Sequence, residues 1–200
     1  MEEAGIKWIA VVAGAVSLVV AYSFDWASIK GIPRLKQTIG SIAIVLHGYA
    51  LYAASWGVAS FSLPAPFFWI GLVFVPISLL LLSYSFFIEI PFARTYAKTG
   101  SGDQLVTTGT YALVRHPGVI WYSLFLISLF LATGSMTLLV AFPIWVLLDV
   151  LYVIIQERFF FDRMFPGYRA YRQQTPMLIP TRKSIARSFK TLNHRRSPND

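Results

Sequence analysis

The chain contains no cysteine. Disulfides, thiolate nucleophiles and cysteine-based metal sites are excluded, so every ligand or reacting group must come from other residue types. Charge is also scarce. Only 13% of the 200 residues are Asp, Glu, Lys or Arg, and nine are acidic, whereas soluble domains usually carry about a quarter charged residues. The amino terminus lacks the positive region of a signal peptide, holding Glu2 and Glu3 with Lys7 alone, and the apolar run behind it is long for a signal-peptide core. The first run therefore reads as a retained helix. No internal repeat is present.

Apolar chain is what abounds, at 56% of residues. Five stretches, 6–24, 38–61, 67–88, 118–133 and 136–155, meet or approach the about 20 apolar residues that a helix needs to cross the hydrocarbon core. They use most of the chain and leave no room for a second soluble domain. The sequence predicts an all-α, polytopic membrane helix bundle with about five transmembrane helices. A single domain spans 1–180, its motifs concentrated in 104–180, and a basic tail, 181–200, has little to bury. That tail is expected to be mobile or to lie against anionic headgroups.

Orientation accounts for the net charge of +8. When alternate loops are assigned to opposite faces, one face receives 16 Lys and Arg residues and the other receives Lys7 alone. By the positive-inside rule the amino terminus lies outside and the carboxyl terminus is cytoplasmic, as in an inner membrane or the endoplasmic reticulum. Nucleic acid is not needed to explain the charge. The outside turns, 62–66 and 134–135, are short and uncharged, while the inside connections, 25–37 and 91–117, are longer and polar. Function is expected where polar chain gathers, on the cytoplasmic face. Pro76 and Pro143 fall inside the third and fifth runs and are expected to kink them.

Two segments at the cytoplasmic ends of neighbouring helices hold the remaining chemistry. The first, 104–117, ends in Arg115-His116-Pro117. Proline starts a helix cheaply, and the free amides there, beside Arg115 and His116, suit an anionic group. Equally, Arg115 can snorkel to lipid phosphate while His116 caps the helix. The second segment, 156–171, leaves the fifth run through Gln156 and Glu157. Asp149, Tyr152 and Gln156 share one helical stripe by their spacing. An aspartate so deep costs about 2.5–3.5 kcal/mol on insertion scales and should face inward. It either helps to line a pocket with both charge signs, suited to a zwitterion, or fixes packing through Tyr152. His47 reads as a hydrogen-bonded packing histidine, and Glu89 as a group near the inner interface.

Together the two segments resemble a family of membrane-embedded methyltransferases that includes isoprenylcysteine carboxyl methyltransferases and phospholipid N-methyltransferases. The resemblance rests on Leu105, Val106, Gly109, Tyr111, Arg115, His116 and Pro117, then on Glu157, Phe165, Tyr168, Tyr171, Pro176 and Pro180 after one helical hairpin. It covers roughly the second half of the chain. It implies S-adenosylmethionine bound at the cytoplasmic face and a lipid or lipidated acceptor entering from the bilayer. By position, cofactor contacts fall to Gln104, Leu105, Val106, Tyr111, His116, Pro117, Gly118, Gln156 and Glu157. Arg115 and Glu157 stand as the catalytic pair, and no metal is implied.

The chain departs from the family pattern in four places. Val119 and Trp121 follow Arg-His-Pro, Gln156 replaces the first acid of a pair, and Tyr152 stands where isoprenylcysteine enzymes place an arginine. Val119, Trp121 and Gln156 keep open a relative that keeps the scaffold without catalysis, while the helix-start His-Pro and the Tyr-x-x-Tyr segment, similar to those of some sterol reductases, keep open an NADPH-dependent membrane reductase.

Overall fold

A helix that faces lipid carries its large side chains outward and keeps small ones for its neighbours, because hydrocarbon tails are as apolar as leucine. This chain follows that rule. Ile44 and Val45 are each 72% exposed and Leu80 is 70% exposed, while Ala10, Ala50, Ala54 and Ala141 are buried between helices. The computed structural model describes residues 6–30, 32–56, 60–90 and 105–194. The helices are α1 (Trp8–Ile29), α2 (Pro33–Ser55), α3 (Ala65–Ser83), α4 (Thr110–Leu113), α5 (Pro117–Thr133), α6 (Met136–Ile155), α7 (Phe161–Met164), α8 (Tyr168–Gln174) and α9 (Arg182–His194).

Four helical stretches are long and apolar enough to cross a membrane: Trp8–Ala27, Arg34–Ser55, Ala65–Glu89 and Met136–Met164. The protein is an integral, multi-pass membrane protein. α5, the remaining expected span, is apolar but has 17 residues, about 25 Å of helix against a hydrocarbon core of about 30 Å. Each of the five expected runs therefore holds a helix, four of them at full crossing length, although the second stops at Ser55 rather than 61.

The boundaries of the first two differ from expectation. α1 continues to Ile29 and α2 begins at Pro33, so the expected polar connection 25–37 is mostly helix. Proline at the first turn makes Pro33 a good start, and the charges that suggested a loop sit on helix ends. Asp25 is buried, and Lys36 is buried with its Nζ 4.9 Å from the Phe24 ring centroid. Both interior prolines, Pro76 and Pro143, lie within helices.

α1 packs along α2, α3 packs along α5, and α6 joins the two pairs. Trp145 of α6 is the largest fully buried side chain, and its Nε1 donates to the Val11 carbonyl at 2.9 Å. At one end of the bundle the Phe61 amide donates to the Gly134 carbonyl at 2.7 Å, and Ser135 Oγ donates to the Ala54 carbonyl at 2.6 Å. The two short turns thus lie together. At the opposite end α3 and α6 each widen into a π-helical segment, Tyr84–Glu89 and Gln156–Phe160. Such widened turns gather at functional sites, and here they deliver Glu89 and Glu157.

Within the basic stretch 181–200, residues 182–194 form α9, which packs against α4 with Ser184 and Ser188 buried, and 195–200 lie outside the described residues. Hydroxyls rather than hydrocarbons make the contact, so composition gave no hint of burial.

Candidate functional site

The step from α4 to α5 brings Arg115 and His116 against the π-segment of α6. Arg115 Nε and Nη2 donate to the two carboxylate oxygens of Glu157 at 2.7 and 2.9 Å, a bidentate pair. His116 Nε2 lies 2.8 Å from Glu157 Oε1. Since a carboxylate only accepts, Nε2 carries the proton and Nδ1 keeps its lone pair. All three side chains are less than 10% exposed. Burial lowers the His116 pKa from its ordinary value, against an opposing pull from the Glu157 hydrogen bond. Glu157 is already matched by Arg115, which weakens its hold on a second proton.

This cluster is closed on itself. Arg115 Nη1 donates to the carbonyls of Arg172 at 3.0 Å and Thr175 at 2.7 Å. The backbone amides of Arg115 and His116 donate to Pro176 and Met177. The two charge signs expected at this pocket are thus present but paired with each other, and the two bonded amides lie just before α5. The carbonyls of residues 175–177 thus accept from the Arg115 side chain and from the Arg115 and His116 amides.

The cluster forms part of the wall of a cavity of about 860 Å³ that runs from the polar end into the bundle, within the about 300–1,000 Å³ typical of ligand pockets. Of the residues expected at the site, Leu105, Val106, Tyr111, Arg115, His116, Pro117, Gly118 and Gln156 line it. Glu157 stands behind Arg115 and His116, and Gln104 lies outside the described residues. Exposed Ser41, Ile44 and Gly48 of α2 and exposed Phe87 beyond α3 also line the cavity, so it opens sideways between those elements. A smaller hollow of about 380 Å³ on the far side of the 105–108 segment shares Leu105 and Tyr171 with it.

The loop bearing Leu105, Val106 and Tyr111 is pinned from two directions. Glu89 accepts from the Thr110 amide at 2.9 Å and from the Thr110 hydroxyl. Ser188 Oγ donates to the Gly109 carbonyl at 2.7 Å, and the Gly109 amide donates to Thr191 Oγ1 at 2.9 Å. Gly109 has a φ of 65°, and a Cβ there would stand 1.7 Å from Glu89 Oε1, so no other residue fits. Gly118, at the start of α5, packs against the Phe86 ring, where a Cβ would come within 2.6 Å.

Aromatic rings form the next layer. Phe161 stacks on His116 with centroids 5.8 Å apart, and Tyr168 meets Phe161 edge-on at 5.2 Å. Tyr168 is 2% exposed, and its hydroxyl has no hydrogen-bond partner among the described residues. Burial and the nearby Glu157 carboxylate both raise its pKa. An orphaned buried hydroxyl costs about 1–3 kcal/mol, which a bound acceptor atom relieves. By contrast, Tyr171 Oη donates to the Tyr111 carbonyl at 2.6 Å.

Gln156 and Tyr152 turn to α1. Both donate to Asp25 Oδ2 at 2.7 Å. Asp25 was missed by sequence reasoning because it was placed in a loop; its only signal was an acid one turn inside a helix end. His47 is hydrogen-bonded at both ring nitrogens, to Ser17 at 2.7 Å and Tyr122 at 2.8 Å. Among the described residues no cluster of His, Asp and Glu suits a metal ion.

A family model described as phospholipid methyltransferase matches residues 66–167, just over half of the chain. The matched region begins in α3 and ends before α8, so α1, α2, α8 and α9 lie outside it. No curated protein and no solved structure matches.

Proposed function

The chain belongs to the phospholipid methyltransferase family, and from that premise we propose that it transfers a methyl group from S-adenosylmethionine to a lipid or lipidated acceptor at the cytoplasmic membrane face. One observation carries the reading. Arg115 and His116, held by Glu157 from 42 and 41 residues along the sequence, help to wall one cavity that is polar at one end and reaches the lipid side of the bundle.

The residues present fit the cofactor. It has a carboxylate, an amine, a sulfonium and an aromatic base, and it supplies an electrophilic methyl group when bound. Tyr168 Oη, orphaned at the cavity wall, is a donor for the carboxylate. Gln156 Oε1 is an acceptor for the amine, since its Nε2 is already spent on Asp25. The faces of Tyr111, Phe161 and Phe165 attract a sulfonium through their ring quadrupoles. Arg115 and Glu157, paired with each other, act as positioning residues that fix the His116 tautomer and the turn into α5. Leu105 and Val106 form the loop side of the site, and Pro117 and Gly118 its floor.

Methyl transfer needs an aligned nucleophile and a dry site more than a protein nucleophile. The chain supplies the alignment through a rigid wall and the dryness through an apolar lining. The lateral opening between α2 and α3 gives the acceptor an entrance from the bilayer. Tyr152, bonded to Asp25, leaves no cation where an isoprenylcysteine carboxylate would sit.

The test is calorimetric titration of detergent-purified protein with S-adenosylmethionine and, separately, with NADPH. We expect the first to bind and the second not, with binding abolished in His116→Ala. NADPH binding alone would transfer the chain to reductase chemistry, and binding of neither would leave a scaffold without catalysis.

A further inference from the structure

The membrane half of the cavity contains polar groups that the cofactor reading does not use. Asp149 lines the cavity seven residues before Gln156, which places it about 10 Å deeper along the helix. Among the described residues its carboxylate makes no hydrogen bond or ion pair, although Tyr22 and Tyr122 lie within its electrostatic reach. An intramembrane acid without a partner marks a ligand or proton path.

The surrounding hydrogen bonds show why no protein donor reaches it. Tyr22 Oη gives its proton to the Leu148 carbonyl at 2.7 Å, and Tyr152 Oη gives its proton to Asp25. Ser17 Oγ donates to the Gly14 carbonyl at 2.7 Å, so it must accept from His47 Nδ1. His47 Nε2 is then a bare lone pair, and Tyr122 Oη donates to it. The chain of donation runs Tyr122 to His47 to Ser17 to Gly14. Every phenol proton near Asp149 is spent. What remains facing the cavity is an acceptor surface: the Asp149 carboxylate and the lone pairs of Tyr122 Oη.

We propose that Asp149 is the acceptor-binding residue of this enzyme and receives a headgroup that brings N–H donors and positive charge, not a carboxylate. The proposal rests on the methyltransferase reading and assigns the acceptor's end of the same cavity. Asp149 takes one proton from the bound ammonium. The freed nitrogen lone pair forms the new N–C bond while the methyl–sulfur bond breaks, its electron pair staying on sulfur as a neutral thioether. Charge is conserved: one positive centre is lost at sulfur and one is gained at nitrogen. Tyr122, held by His47, accepts a second N–H and orients the group.

The experiment is a thermal-shift and calorimetric titration of detergent-solubilised wild type and Asp149→Asn with dodecylamine, dodecyltrimethylammonium and dodecanoate, run beside S-adenosylmethionine. Dodecylamine is expected to bind the wild type more tightly than the trimethyl cation, which has no N–H, while dodecanoate does not bind. Asp149→Asn should weaken dodecylamine by about tenfold or more and leave cofactor affinity unchanged, which also shows that the variant is folded. Unchanged dodecylamine affinity in Asp149→Asn, or equal binding of dodecanoate to the wild type, overturns the proposal. The amine arm needs no cofactor, so failure of the cofactor titration alone sinks the methyltransferase reading and not the acceptor site.

Discussion

Replacing Glu157 with glutamine tests the central cluster with almost no change of shape. In the wild type the carboxylate accepts from Arg115 at 2.7 and 2.9 Å and from His116 at 2.8 Å, and Arg172 Nε stands 3.8 Å away. Glutamine keeps one acceptor and turns the other into a donor facing a guanidinium N–H. Removing one partner of a buried pair costs about 3–5 kcal/mol. Here Arg115 keeps the Arg172 and Thr175 carbonyls and one contact to the new amide. The expected loss is therefore smaller, about 2–3 kcal/mol. For a chain of this size that lowers the melting midpoint by about 4–12 °C. The assay is thermal unfolding in detergent, with cofactor affinity measured calorimetrically on the same sample. Arg115→Met and the double variant complete a mutant cycle, in which the coupling should exceed about 1 kcal/mol. A Glu157→Gln protein that melts with the wild type and binds the cofactor as well would refute the idea that this pair braces the wall.

Three further outcomes follow from the geometry. Gly109→Ala should leave the bundle folded but abolish cofactor binding in the same titration, because the left-handed backbone and the Glu89 contact leave no room for a methyl group. Ser188→Ala combined with Thr191→Val removes both α9 hydrogen bonds to Gly109; cofactor affinity should fall by about three- to tenfold, read by calorimetry. The lowered His116 pKa means that the unfolded chain binds more protons below about pH 6.5. Stability is therefore expected to fall as the pH drops below that value and to be fully present above it, and melting curves of His116→Gln should lose this share of the dependence.

The bundle was legible because its signal is crude. Runs of apolar residues long enough to cross a bilayer announce themselves, and 118–133 and 136–155 became helices with almost those bounds. The meeting of Arg115 and His116 with Glu157 was legible as well, since one hairpin separates them and brings both ends back to the same face. What was not legible were partners that depend on register between distant helices. Asp25 reaches Gln156 across 131 residues of sequence, and nothing local in either segment announces it. α9 was not legible for a different reason. Its buried face is built from Ser184, Ser188 and Thr191, whereas hydrophobic periodicity is the feature that reveals a packed helix. The closed state of the charge cluster was hidden because backbone carbonyls, which every residue has, consume the remaining donors of Arg115.

The chamber is built by two parties. Ser17, Asp25 and His47 come from the first hairpin, which precedes the matched residues 66–167, whereas Arg115, His116 and Asp149 lie within them. The lining therefore comes from two stretches of polypeptide, one inside the matched region and one before it. A chimera that exchanged residues before 60 for those of another member should recast one wall of the chamber while leaving the contact between Arg115, His116 and Glu157 untouched.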